Sequence, residues 1–107
     1  MWSIATAAMM KAGADWGATG ENPVVVNSRS ADVIIGPVGI VIADALLGEV
    51  TETMAAAVGK SPAHKLLIPV SDRCSHTVVG CRELSLSEYI RIACDEVERM
   101  LAEAHHL

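Results

Sequence analysis

Val33, Ile34 and Ile35 follow one another with no polar residue between them, and Gly36-Pro37 ends the run. Side chains alternate across a strand, so an unbroken apolar run needs cover on both faces. Strands of this kind sit inside parallel sheets with helices on either side. Leu66-Leu67-Ile68 repeats the pattern and is closed by Pro69. The two segments predict neighbouring strands that run the same way under helical cover.

The rest of the chain is read around that pair. Ile4, Ala5, Ala8, Met9 and Ala12 recur at helical spacing before Gly13, which predicts a helix over Ser3–Ala12. Ala14–Asn22 reads as loop, Val24–Val26 as a short β-branched strand, and Asn27–Ser30 as a turn. Val38–Leu47 fits two templates. Val38, Ile40 and Ile42 alternate as in a strand, while Val38, Val41, Ile42, Ala45 and Leu46 fit a helix, and Gly48 as a stop favours the helix. Thr51 is placed to cap a short helix through Val58, closed by Gly59. Thr77–Val79 reads as another short strand. Ser85 and Glu88 form a capping box that opens a last helix. Leu86, Ile90, Ala93, Val97, Met100 and Leu101 share one face of it, opposite Glu88, Arg91, Asp95, Glu98 and Arg99. Buried strands interleaved with helices predict a single α/β domain over residues 1–107, a three-layer sandwich around a mostly parallel sheet. No internal repeat is present, and His105-His106-Leu107 reads as a frayed end.

Composition narrows the partners. Hydrophobic residues make up 51% and charged residues 20%, so the chain builds a core. A net charge of −5 argues against a nucleic-acid partner, since no cationic surface is present to displace counterions. Aromatic residues are 3% with no Phe, which removes base-stacking platforms. The longest uncharged run, Val33–Ala43, is shorter than the roughly 18 residues a bilayer span needs. The first residues lack a basic segment and a cleavage site, so no membrane association is expected and the location is expected to be cytoplasmic. Cys74, Cys81 and Cys94 are odd in number and read as reduced thiols, with Cys94 in the core. A mean hydropathy of +0.38 must then come from a buried core or a buried subunit interface.

Ligands of open parallel sheets sit outside the carboxyl ends of the strands. Three loops qualify: Thr19-Gly20-Glu21-Asn22, the turn of Gly36, Pro37 and Gly39, and Ser71-Asp72-Arg73-Cys74. Gly36 and Gly39 allow an anion close to the backbone, or serve a tight turn and close packing. Gly-Pro-x-Gly matches neither the P-loop nor the dinucleotide fingerprint. Arg73 beside Asp72 suits a carboxylate or phosphate, against the plainer reading of a solvated loop. Asp44 interrupts an apolar segment and needs a partner if buried. Cys74, His76 and Cys81 follow no zinc spacing, so no metal is expected.

One further signal is the order of several blocks. Ile4-Ala5-Thr6-Ala7-Ala8-Met9, Lys11-Ala12-Gly13-Ala14 and Gly17-Ala18-Thr19-Gly20-Glu21-Asn22 come first. Ala31–Asp44, Leu47-Gly48-Glu49-Val50-Thr51, Lys65-Leu66-Leu67-Ile68-Pro69-Val70 and Cys74 follow. From about Ile4 to Leu101 the chain resembles a bacterial family, the domain of unknown function 3842. The resemblance implies a Rossmann-like fold lacking its N-terminal Gly-rich strand–helix–strand part, and with it the usual phosphate-binding turn. Losing that part bares a strand edge, which implies a homo-oligomer, most simply a two-fold dimer. The expected role is a non-catalytic small-molecule or nucleotide-binding or regulatory module. The alternatives are an enzyme acting on a small anionic metabolite through Asp72, Arg73 and Cys74, and a structural subunit. No residue pattern specifies a cofactor.

Overall fold

The computed structural model describes residues 4–69 and 77–104. Helix α1 spans Ile4–Lys11 and α2 spans Glu21–Ser28. Strand β1 covers Val33–Pro37 and leads straight into a short 3₁₀ helix, Val38–Val41. Helix α3 (Glu52–Lys60), strand β2 (His64–Ile68) and the long helix α4 (Leu86–Ala104) complete the order.

The two apolar runs pair as expected. β1 and β2 form a two-stranded parallel sheet in which Ile35 stands opposite Leu66 and Pro37 opposite Ile68. The crossover between them carries the 3₁₀ helix and α3. Helix α3 packs against α2 and the 3₁₀ helix, and α4 packs against β2. The molecule is thus mixed helix and sheet around one βαβ unit.

Two hydrogen bonds fix α2 and α3 side by side and pointing the same way. Near their amino ends the Thr51 hydroxyl donates to Glu21 Oε1 at 2.6 Å. Near their carboxyl ends the Ser61 hydroxyl donates to the Ser28 carbonyl at 2.5 Å. The Ser61 Oγ also accepts the Ala63 N–H at 3.1 Å, and the Lys65 ammonium donates to the Ser61 carbonyl at 2.7 Å. The start of β2 is tied to the start of β1 by the His64 N–H, which donates to the Asp32 carbonyl at 3.0 Å.

The core is small. Ala45, Val50 and Ala55 are buried together, with Ile42, Leu46 and Met54 half-buried around them. Val58, Ala63, Ile68 and Ala93 are buried elsewhere, and among the described residues no large side chain is completely enclosed. Thirteen large apolar residues among those described are exposed instead, Ile35, Leu86, Ile90, Ile92 and Leu101 among them.

Several expectations are corrected. Val24–Val26 is helix, the middle of α2. Pro23 stands in its first turn, where a missing N–H costs nothing, and Gly20, at φ 116°, sets the approach. Packing on α3 outweighs the modest helix penalty of valine. Asn27 and Ser28 continue that helix and are not a turn.

Val38–Leu47 is neither a strand nor an α-helix. The 3₁₀ helix stops at Val41, and Asp44, Leu46 and Leu47 take left-handed backbone angles (φ 63°, 57° and 59°) before Gly48 at 85°. Left-handed residues cannot extend a right-handed helix. The loop closes through the Asp44 N–H, which donates to the Val50 carbonyl at 2.7 Å, and the Val50 N–H, which donates to the Ala45 carbonyl at 3.2 Å. Asp44 itself is exposed.

Thr77–Val79 forms no strand; it is coil running into a turn at Gly80, φ 82°. Cys94 is exposed rather than in the core. Thr51 caps α3 as expected, with the Met54 N–H donating to its Oγ1 at 3.1 Å, and the helix runs to Lys60.

Candidate functional site

The parallel pair defines an edge where both strands end. Gly36 and Pro37 close β1 there, and Ile68 and Pro69 close β2. The crossover rises from this edge and α3 descends toward the start of β2, so the Thr51 cap lies on the same side as the strand ends. Glu21 is hydrogen-bonded to Thr51 and is therefore held on that side as well. The loop Thr19–Asn22 and the turn Gly36–Gly39 thus share one side of the molecule. Ser71, Asp72, Arg73 and Cys74 lie outside the described residues, as does His76.

Within the first two loops local packing accounts for much of the sequence. A Cβ on Gly39 would stand 3.3 Å from the buried Ala45 Cβ, and one on Gly36 would stand 2.9 Å from Ile40 Cδ1. Both glycines therefore permit close approach of neighbouring side chains, the plainer of their two readings. Glu21 and Asn22 open α2, and Thr19 shares a 2.7 Å hydrogen bond with Thr6 of α1.

A sizeable cavity lies where β2 gives way to α4. It measures about 650 Å³ and is lined by Pro69, Thr77, Val78, Cys81, Arg82, Glu83, Leu84, Ser85, Leu86 and Tyr89. Local order shapes its wall. The Ser85 Oγ accepts the Glu88 N–H at 3.2 Å, completing one half of the expected capping box. The Tyr89 hydroxyl and the Leu84 N–H both donate to the Arg82 carbonyl, so the first turn of α4 is fastened to the segment before it. The wall offers a guanidinium, a carboxylate, a thiol and hydroxyls beside apolar surface.

Cys81, Arg82, Ser85 and Tyr89 were not among the expected site residues. Ser85 was visible in the sequence only as a helix cap. The other three carry no local signal, because the fold alone brings them beside Pro69.

Two smaller clefts are apolar. One, about 270 Å³, lies between α2, α3 and β1 and is lined by Val24, Ile34, Ile40, Val50, Met54 and Val58 with Asn27, Ser28 and Ala31. The other, about 300 Å³, separates β2 from α4 along Leu66–Pro69, Tyr89, Ile92, Ala93 and Glu96. Among the described residues no group of three or more His, Cys, Asp or Glu side chains is arranged to hold a metal ion. None of the described helices is long and apolar enough to cross a membrane.

A βαβ unit with a polar cleft beside the carboxyl end of its second strand places the molecule among α/β proteins. Residues 1–102 match the sequence model of a family described as a domain of unknown function (DUF3842), and the chain belongs to that family. No curated protein and no solved structure matches the chain.

Proposed function

We propose that the chain is a single-domain, non-catalytic binding module for a small anionic metabolite, seated in the cleft between Pro69 and the first turn of α4. The observation that carries this reading is the cleft itself. Its 650 Å³ fall within the roughly 300–1,000 Å³ of small-molecule sites. Arg82 supplies the positive charge on its wall, and a guanidinium suits a carboxylate or phosphate. The loop Ser71–Cys74 joins β2 to this cleft in sequence, which makes Arg73 the second candidate for the anion.

The same reading includes a Rossmann-like, three-layer arrangement. Ile34 lines the cavity beneath α2 and α3. Leu66 and Ile68 are two residues apart, and Leu66 pairs with Ile35. Strand alternation assigns these three to the opposite face, the one α4 covers in part. A cytoplasmic location agrees with the free thiols of Cys81 and Cys94. A two-fold homodimer completes the reading. The structural-subunit alternative draws on the exposed apolar residues of α4, and a dimer accounts for those without giving up the cleft.

The test is a thermal-shift panel of phosphate, nucleotides and small di- and tricarboxylates. A ligand that binds only the folded state raises the midpoint by mass action. The expected result is a shift with one anionic class, abolished by Arg82→Glu. A shift that survives Arg82→Glu and vanishes with Arg73→Glu moves the anion to the other loop. No shift across the panel overturns the reading.

A further inference from the structure

Helix α4 carries more apolar surface than β2 covers. Its buried residue is Ala93, with Tyr89, Glu96, Val97 and Met100 half-buried. Leu86, Ile90 and Leu101 remain 53%, 46% and 57% exposed, and Cys94 is exposed between them. At 3.6 residues per turn, Leu86, Ile90, Cys94, Val97 and Leu101 fall within an arc of about 80°. That arc lies beside the shoulder that meets the strand. The result is a continuous apolar stripe along the helix, flanking the side that meets the sheet.

We infer that this stripe is the interface with a second copy of the same chain, the two α4 helices lying antiparallel with Cys94 near the two-fold axis. The inference deepens the homodimer of the proposed function and rests on it. A two-fold interface must be self-complementary, so that each residue meets a partner that meets it in return. The stripe satisfies that condition. Leu86 and Leu101 are equally far from the point between Ala93 and Cys94, and so are Ile90 and Val97. Turned end for end, leucine meets leucine and the β-branched pair meets itself.

Charge is symmetric about a point one residue further along, between Cys94 and Asp95. Arg91 and Glu98 flank Cys94 at three and four residues and share the outer shoulder of the stripe. Among the described residues neither takes part in an ion pair within the chain, in contrast to Arg99, which pairs with Glu96 and Glu103. In the antiparallel arrangement Arg91 of one copy faces Glu98 of the other, twice by symmetry. A second, antiparallel copy of this chain thus offers the stripe both an apolar match and opposite charges.

The test uses the whole chain carrying Cys74→Ser and Cys81→Ser, so that Cys94 is its one thiol. Light scattering at micromolar concentration is expected to give a dimer. A short bis-maleimide is expected to join the two copies through Cys94. Ile90→Asp changes an exposed position, and its circular dichroism is expected to match the parent while the dimer and the cross-link are lost. Arg91→Glu is expected to weaken association at least tenfold, and Glu98→Arg added to it to restore it. A dimer that yields no cross-link and is indifferent to both substitutions overturns this interface and leaves the homodimer standing. A monomer throughout overturns both.

Discussion

The Thr51 hydroxyl joins two helix starts, donating to Glu21 Oε1 at 2.6 Å while accepting the Met54 N–H at 3.1 Å. One side chain therefore caps α3 and fixes the amino end of α2 beside it. The Glu21 carboxylate lies in the first turn of α2, where a negative charge complements the helix dipole.

Thr51→Ala removes the cap and the tie together. The expected loss is about 1–2 kcal/mol of folding stability, read as a lower urea midpoint with an unchanged slope. Thr51→Ser keeps both hydrogen bonds and is expected to lose only a fraction of that. Equal losses for the two variants would show that the methyl group, not the hydroxyl, carries the effect.

Ser61 plays the matching part at the other end of the same helix pair. It is buried, donates to the Ser28 carbonyl, and accepts the Ala63 N–H. Ser61→Ala leaves a buried carbonyl and a buried N–H without these partners, which costs about 1–3 kcal/mol. Amide hydrogen exchange at Ala63 is expected to speed up in parallel. Unchanged exchange there would mean that the Ser61 hydroxyl does not hold that N–H.

These contacts show what could be read from the chain before its structure. Val33–Ile35 and Leu66–Ile68 announced a parallel pair because an apolar run admits few other homes, and the two segments do pair in parallel. The Thr51 and Ser85 caps were equally legible, since capping is decided within a few residues. Val24–Val26 was misread because its helix is set by Gly20 and Pro23 at its start and by packing on α3, none of which a β-branched triplet reports. The turn after β1 escaped because three left-handed non-glycine residues carry no sequence signature. Cys94 looked like core because periodicity identifies an apolar face and is silent on what covers it. The cleft at Arg82 was missed for a similar reason: no spacing links Pro69 to Tyr89, which the fold alone brings together.

The left-handed turn carries its own consequence. Leu47 is 83% exposed and sits at φ 59°, so its side chain contributes little packing against the strain of that conformation. A left-handed residue other than glycine costs roughly 1–2 kcal/mol, and asparagine tolerates the region better than leucine. Leu47→Asn is expected to raise the denaturant midpoint, by about 0.5–1 kcal/mol of stability. A destabilised variant would indicate that Leu47 is covered by something in solution, and light scattering on the same samples would identify a lost second copy.

The last prediction concerns acid. Arg99 hydrogen-bonds Glu96 and Glu103 along the exposed side of α4. That hydrogen bond, helped by the charge of Arg99 and more weakly by His64, holds the Glu96 carboxyl below its usual 4.5 against the opposing effect of desolvation. A carboxyl whose folded value is depressed favours the folded state above the unfolded value. That contribution fades as pH falls through the folded value. Glu96 therefore adds to stability at neutral pH and stops doing so in acid below 4.5. Arg99 is exposed and Glu96 only half-buried, so the contribution is small and weakens with salt. Arg99→Gln is expected to move the Glu96 midpoint, followed by carboxyl-carbon NMR, back up toward the ordinary value. It should also flatten the acid limb of the stability curve slightly. A Glu96 midpoint that stays where it was in Arg99→Gln would assign the depression to His64, and His64→Ala would then have to relieve it.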